Sequence, residues 1–312
     1  MSSWGARGVD IVPRNRIRIE TDKRLVTVNM SGGLGNRLFQ IMAGLGYAER
    51  TGREFVFYEN NMKNNAHTDY LKTTEMLLAF FPKVKVWRGS QRWTDYTDAE
   101  GGVYLYNPIP ELSGSVRLSG YYQRFEYFPS GAREQFVVPK PKAVRFDSSG
   151  VDFSHAYFIH FRLGDYIGSK FDVGFDEYYR KAIAAIRAAD SEAFFLVFSD
   201  QVKKLQLEGY GLGERYCVPE GVGTWETLWL MSRCRGAVCA NSTFSWFGAF
   251  AVRGDGPIYM PPRWNIDFEG NPAPPWALLL AGTAEAAGFS GASACTRQNV
   301  KPLSKISSVF FR

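Results

Sequence analysis

Three short stretches of this chain carry the residue types that chemistry at an anion requires. His160-Phe161-Arg162-Leu163-Gly164-Asp165-Tyr166 closes an apolar run, Ala156–Phe161. Side chains two apart share one side of an extended chain, so His160 and Arg162 project together past the strand end. Burying such groups without a counter-charge is costly. An anion should therefore face them, unless Asp165 simply clamps Arg162 from within the chain. The second stretch, Gly32-Gly33-Leu34-Gly35-Asn36, lies between a strand and a helix. Glycines there let a ligand approach the backbone, a helix start offers free N–H groups, and Asn36 adds an amide donor. A tight turn alone would also explain Gly33 and Gly35. The third stretch is Cys239 to Ala249, CANSTFSWFGA. Asn241 or Ser242 can cap the helix that begins there, while Ser242 and Thr243 set hydroxyls beside its free N–H groups, a cradle for phosphate or ribose. Phe244, Trp246 and Phe247 fit equally well as core.

Two acids stand near these stretches. Asp200 follows the run Ala193–Ser199, where a carboxylate can accept from ribose hydroxyls or from the amino group of a base. Glu226 opens a helix, as a favourable first-turn acid or as an acceptor for the N1–H and N2–H2 edge of guanine. No D-x-D pair occurs to hold a divalent ion against a diphosphate, so an arginine would have to neutralise a departing phosphate. From Gly33 the glycine loop reads G-x-G-x-x-L, short of a dinucleotide fingerprint by its third glycine, although Glu59 could serve as a ribose acid.

The elements that position these residues alternate. Leu25–Met30 reads as a strand, Ser31–Asn36 as a loop, and Arg37–Arg50 as a helix with Leu38, Ile41, Met42 and Leu45 on one face. Glu54–Tyr58 is the next strand, Tyr70–Phe81 a helix, and Val84–Trp87 and Val116–Tyr122 strands, with loop from Arg88 to Asn107. A stretch around 138–154 has two prolines, a Ser-Ser-Gly and no periodicity, and reads as a linker. A second series follows: strand 156–161, helix 176–189, strand 193–199, helix 225–234, strand 237–240, helix 243–252 and strand 257–260. Strands alternating with such helices imply parallel β-α-β units. The expected class is therefore α/β, with two Rossmann-like domains whose parallel sheets face each other across a cleft. Residues 1–24 would form a tail, 25–140 the first domain, 155–275 the second, and 276–312 a segment of unassigned packing.

Composition narrows the function classes. The chain has 312 residues, 45% of them hydrophobic and 22% charged, enough to build cores and too apolar for a disordered tail. Its net charge of +6 is scattered, as on a solvated surface or opposite a small anion, and forms no nucleic-acid stripe. No apolar run is long enough to span a bilayer, and the first residues lack a signal-peptide core. Four cysteines without a CxxC pair, and three histidines, give poor support to a zinc site or a disulfide framework. Both N-x-S/T sequons, at Asn29 and Asn241, adjoin the stretches above, where a glycan would obstruct chemistry. A cytoplasmic location is the expectation.

The three stretches resemble the motifs of one family. GGLGNRLFQ is similar to the GGLGNQLFQ signature of α-1,2-fucosyltransferases, with Arg37 where glutamine is usual. HFRLGDY resembles that family's H-x-R-x-G-D-Y motif, with Leu163 where a second arginine is frequent. CANSTFSWFGAF resembles its N-S-T-F-S-W-W-x-A block, with Phe247 for a tryptophan, and the stretches LSGYYQRFEYF from Leu118 and FSDQ from Phe198 follow the same order. The resemblance implies a metal-independent, inverting enzyme of GT-B type that uses GDP-fucose as co-substrate, without a cofactor, and holds it on the second domain. Arg162 would stabilise departing GDP at the β-phosphate, His160 would orient the diphosphate, and Gly35 and Asn36 would reach the donor from the first domain. Ser242, Thr243 and Phe244 would line the nucleotide pocket, with Glu226 or Asp200 near guanosine. The implied reaction is transfer of L-fucose to a sugar hydroxyl, O2 of a terminal β-galactose being the first choice, on an oligosaccharide or glycan acceptor. Asp165 is the candidate general base, or else it orients Arg162. Trp87, Trp93, Tyr121 and Tyr122 could stack on acceptor sugars or pack in the core. An NAD(P)-binding oxidoreductase and an inactive glycan-binding scaffold are the alternatives.

Overall fold

The computed structural model describes residues 24–59, 61, 70–98, 105–267 and 270–280. The expected tail lies outside these residues except for Arg24, as does everything beyond residue 280 in the last segment.

In the first half, β1 (Leu25–Val28), β2 (Glu54–Tyr58), β3 (Lys85–Trp87), β4 (Trp93–Thr97) and β5 (Ser115–Ser119) form one parallel sheet in the order β3-β2-β1-β5-β4. Its helices are α1 (Leu34–Thr51) and α2 (Tyr70–Phe80), and a short α3 (Ala132–Gln135) follows the sheet. β4 falls inside the stretch read as loop. Trp-Thr-Asp-Tyr-Thr is an edge strand that nothing buries completely, so it lacks the apolar run that marked its neighbours. β5 ends at Ser119, earlier than expected, because Gly120 and Tyr122 turn the chain with positive φ of 152° and 49°.

The second half holds β6 (Ala156–Phe161), β7 (Phe194–Ser199), β8 (Tyr216–Cys217), β9 (Gly236–Val238), β10 (Ile258–Met260) and β11 (Leu278–Leu279). Its helices are α4 (Asp176–Ala189), α5 (Thr224–Arg233) and α6 (Thr243–Ala251). The sheet runs β11-β10-β9-β6-β7-β8, all parallel. Counted within this half from β8, that is the order 3-2-1-4-5-6 of a Rossmann fold, whose ligand crevice opens where the order reverses, between β6 and β9. The first sheet reverses between β1 and β5. Two Rossmann-like halves result, and part of the terminal segment joins the second sheet as β11.

A single hydrophobic core reaches from one sheet to the other. Helix α1 explains it. The sequence pattern gives this helix one apolar face, yet its buried residues include Arg37 and Gln40 as well as Leu38 and Ile41. It is covered by its own sheet on one side and by α6 on the other. Phe39 meets Trp246 and Phe247 with ring centroids 4.6 and 4.9 Å apart, and Phe128 and Phe250 close the same cluster. Each fully buried aromatic of this kind contributes roughly 1.5–3 kcal/mol. The irregular stretch between the halves is also pinned. Trp225 Nε1 donates to the Pro139 carbonyl at 2.8 Å, and Glu226 Oε1 accepts from the N–H groups of Arg145 and Phe146 at 2.7 and 2.8 Å.

Candidate active site

Strand register sets the first group. Along β6, Tyr157, Ile159 and Phe161 turn into the core shared with α4, while Phe158 and Ala156 turn toward the first half. His160 shares the side of Phe158, is only 4% exposed, and meets Phe244 edge-on at 5.8 Å. Its Nδ1 is buried without a hydrogen-bond partner, and burial pushes the imidazole pKa down to about 4. The ring is therefore neutral at pH 7.

Arg162 leaves the strand end and is bracketed by two carboxylates. Asp165 Oδ1 lies 2.6 Å from Nη2, and Asp200 Oδ2 lies 3.0 Å from Nη1. Tyr166 stacks beneath the guanidinium at 5.2 Å. Asp200 also accepts from the N–H groups of Leu163 and Gly164 at 2.9 and 3.0 Å, so it holds the turn as well as the arginine. Nε of Arg162 is buried with no partner. A guanidinium has five N–H groups in a fixed fork, so the bracketing fixes its plane and still leaves donors for an anion. The clamp expected as one use of Asp165 is present, and Asp200 shares it.

The glycine stretch differs from the expected loop. α1 begins at Leu34, so Gly35 and Asn36 belong to its first turn and Gly33 is its N-cap. Gly35 is a glycine for a tertiary reason. A Cβ there would fall closer than 3.0 Å to the backbone of Thr243 and Phe244. Gly33 has open space around it.

Helix α6 starts at the same place. Ser242 is its N-cap by backbone geometry but makes no side-chain cap bond, contrary to the ordinary capping role. The other cap candidate, Asn241, is 3% exposed and donates from Nδ2 to the carbonyls of Phe171 and Trp264 at 2.9 and 2.8 Å. It ties loops together. Thr243 Oγ1 donates to Asn36 Oδ1 at 2.9 Å, across the two halves. Phe244 is half-buried, whereas Trp246 and Phe247 are core.

Two helix N-termini thus meet, neither capped by its N-cap side chain. Each presents roughly half a positive charge and unpaired N–H groups. Close approach of two such ends leaves a locally positive backbone surface, which an anion lying among them would offset. The arrangement can bind a phosphorylated leaving group and stabilise negative charge on it.

Other candidates are elsewhere. Glu226 is 3% exposed and its Oε1 serves the 145–146 backbone, so this carboxylate is not presented as a guanine reader. Glu59 pairs with Arg88 at 3.6 Å. Tyr122 is buried in the core, while Tyr121, 40% exposed, stands on the turn beyond β5. Among the described residues, no three His, Cys, Asp or Glu side chains gather as metal ligands, and no helix is long and apolar enough to cross a membrane. Gln123 and Tyr166 also belong to this network. Gln123 Nε2 donates to Asn36 Oδ1 at 2.9 Å, and the Tyr166 hydroxyl donates to the Asn241 carbonyl at 3.2 Å. Both lie inside the recognised motif stretches, the only signal the sequence offered for them.

Residues 118–269 match the family described as Glycosyl transferase family 11. An "Alpha-1,2-colitosyltransferase" of Escherichia coli is 24% identical over 277 residues, covering 77% of this chain and 92% of that protein. Another Escherichia coli protein, "O-antigen biosynthesis glycosyltransferase WbnK", is 36% identical over 121 residues, 36% of this chain and 39% of its own. Among solved structures, fucosyltransferase NodZ from Bradyrhizobium aligns with a TM-score of 0.43 at 14% identity, covering 74% of this chain and 94% of that one.

Proposed function

We propose that this chain, whose residues 118–269 match Glycosyl transferase family 11 and whose motifs resemble those of α-1,2-fucosyltransferases, transfers L-fucose from GDP-fucose to a sugar hydroxyl with inversion. The acceptor position is O2 of a terminal β-galactose on an oligosaccharide or glycan. The junction of two helix N-termini without side-chain caps, Gly35 of one against Thr243 and Phe244 of the other and His160 edge-on to Phe244, carries this reading. A diphosphate is the donor group that such a junction suits.

In this scheme the GDP diphosphate lies among the first turns of α1 and α6. The N–H groups at Gly33 and Gly35, the Asn36 amide and the N–H groups at Ser242 and Thr243 bind it. Phe244 bounds the pocket beside His160. As the anomeric bond lengthens, charge gathers on the β-phosphate and Arg162 meets it with its free N–H groups. Electrostatic preorganisation of this kind is worth on the order of 10²–10³ in rate. Asp165 and Asp200 orient the guanidinium, and His160, neutral and unpaired at Nδ1, contributes a neutral hydrogen bond. Asn241 acts indirectly, by fixing the loops that follow β9. The acceptor hydroxyl attacks from the face opposite GDP; the exposed Asp165 carboxylate, whose Oδ1 already holds Arg162 Nη2, takes its proton or serves only to orient that arginine. Arg162 supplies the positive charge that the leaving group needs, so no metal or cofactor is required.

The same reading places the enzyme in the cytoplasm. A glycan on Asn241 would break both bonds of its buried amide, and one on Asn29 would break the 2.7 Å bond to Ser119 Oγ.

The test is an acceptor panel offered with GDP-fucose, followed by linkage analysis of the product. Fucosyl transfer to O2 of a terminal galactoside is the expected result. Transfer only from GDP-colitose would move the donor assignment toward that of the Escherichia coli relative's name. Binding of oligosaccharide with neither GDP binding nor donor consumption would overturn the reading in favour of a scaffold.

A further inference from the structure

Asn36 Oδ1 accepts two hydrogen bonds of 2.9 Å, one from Gln123 Nε2 in the first half and one from Thr243 Oγ1 in the second. An amide oxygen has two lone pairs, and here both are engaged. The Nδ2 group is consequently turned the other way, over Gly32, where a Cβ would collide with it. Rotating the amide by half a turn would set its N–H2 against the N–H2 of Gln123. The orientation is fixed by chemistry as well as by packing.

Gln123 is held just as firmly. It is buried and follows Tyr122, the one non-glycine residue with positive φ among the described residues. Tyr122 is locked by burial and by its hydroxyl, which donates to the Ser119 carbonyl at 2.9 Å. Gln40 Nε2 donates to the Gly120 carbonyl, also at 2.9 Å. Strained backbone persists where its surroundings over-determine it, and it clusters at functional sites.

We propose that Gln123 is a positioning residue: with Thr243 it fixes the Asn36 amide so that Nδ2 presents its N–H groups to the diphosphate of the sugar donor. The proposal rests on the reading above that Asn36 contacts the diphosphate. It adds that the donor contact is set correctly only where both halves bind the same oxygen.

The experiment measures GDP dissociation constants for the full chain by calorimetry. Gln123→Met removes the donor without adding charge and should weaken GDP by about three- to tenfold, the scale of one net hydrogen bond. In the Asn36→Ala background the same change should have no further effect, which a merely structural role would not produce. Asn36→Asp keeps both accepted bonds but replaces the N–H2 with a negative oxygen, so it should bind GDP more weakly than Asn36→Ala. Equal losses from Gln123→Met with and without Asn36→Ala overturn the proposal, as does Asn36→Asp binding as well as Asn36→Ala. Should Gln123→Met fail to fold, Gln123→Leu in the wild-type and Asn36→Ala backgrounds makes the same comparison. A wild-type chain that binds no GDP overturns the functional reading and this proposal with it. A wild type that binds GDP, with unaltered Gln123→Met, overturns only the positioning role.

Discussion

Gly35 meets the backbone of Thr243 with no room for a side chain between them, so the first turns of α1 and α6 touch directly. Gly35→Ala should force the two halves apart at the junction. Overpacking of this kind costs about 1–3 kcal/mol. We expect a lowered Tm together with at least tenfold weaker GDP binding, the latter because free N–H groups from both helices would no longer converge. Gly33→Ala, with open space at that Cβ, should leave Tm unchanged in the same thermal denaturation series.

Arg162→Ala should lower kcat by on the order of 10²–10³ in steady-state turnover of GDP-fucose. Arg162→Lys should also be poor, because a single ammonium cannot answer Asp165 and Asp200 in one plane and still offer a fork of donors. Near-normal turnover in the alanine variant would remove Arg162 from the mechanism.

His160 makes acid stability measurable. Its folded pKa of about 4 lies below the usual histidine value of 6.5, because burial disfavours the charged ring. Between those two values the unfolded chain binds the extra proton, so stability falls as pH drops from 6.5 toward 4. This group's contribution to that loss is on the order of 3 kcal/mol. Urea denaturation of wild type and His160→Gln across this window should show a shallower slope for the variant. Equal slopes would show that the imidazole is not held neutral.

The Glu226 carboxylate fastens the stretch between the halves. Glu226→Ala leaves the N–H groups of Arg145 and Phe146 without their charged acceptor, a loss of about 1–3 kcal/mol. Glu226→Gln keeps an accepting oxygen and should retain most of the stability. Denaturant midpoints for the pair separate this role from any contact with guanine, which would weaken GDP in both.

Turnover should survive EDTA, since the proposed leaving-group stabilisation comes from Arg162 and two helix N-termini. An absolute requirement for Mg²⁺ or Mn²⁺, restored by adding the ion back, would contradict that source of charge stabilisation.

Local chemistry was legible in the chain itself. Alternation of short apolar runs with amphipathic stretches is enough to predict parallel β-α-β halves, since periodicity depends only on which side chains must avoid water. The placing of His160 and Arg162 past a strand end, and of Ser242 and Thr243 at a helix start, follows from the same local logic. β4 escaped because an edge strand with half-exposed Trp93 and Tyr96 has no buried run to betray it. The glycines of the 31–36 stretch read locally as a loop, yet α1 begins at Leu34, and only the neighbouring backbone of α6 explains why a glycine sits inside the first turn. Gln123 and Asn36 are 87 residues apart, and Asn36 and Thr243 are separated by 207. No periodicity or propensity reports a bond across such distances. What tertiary structure alone decided is which groups are engaged and which are left for a ligand. Asp200 and Glu226 are both acids at element ends in the sequence, but folding puts one against Arg162 and the other, itself buried, against the backbone N–H groups of Arg145 and Phe146. Their surroundings, and hence their chemistry, are set by contacts between segments that the chain brings together only when it folds.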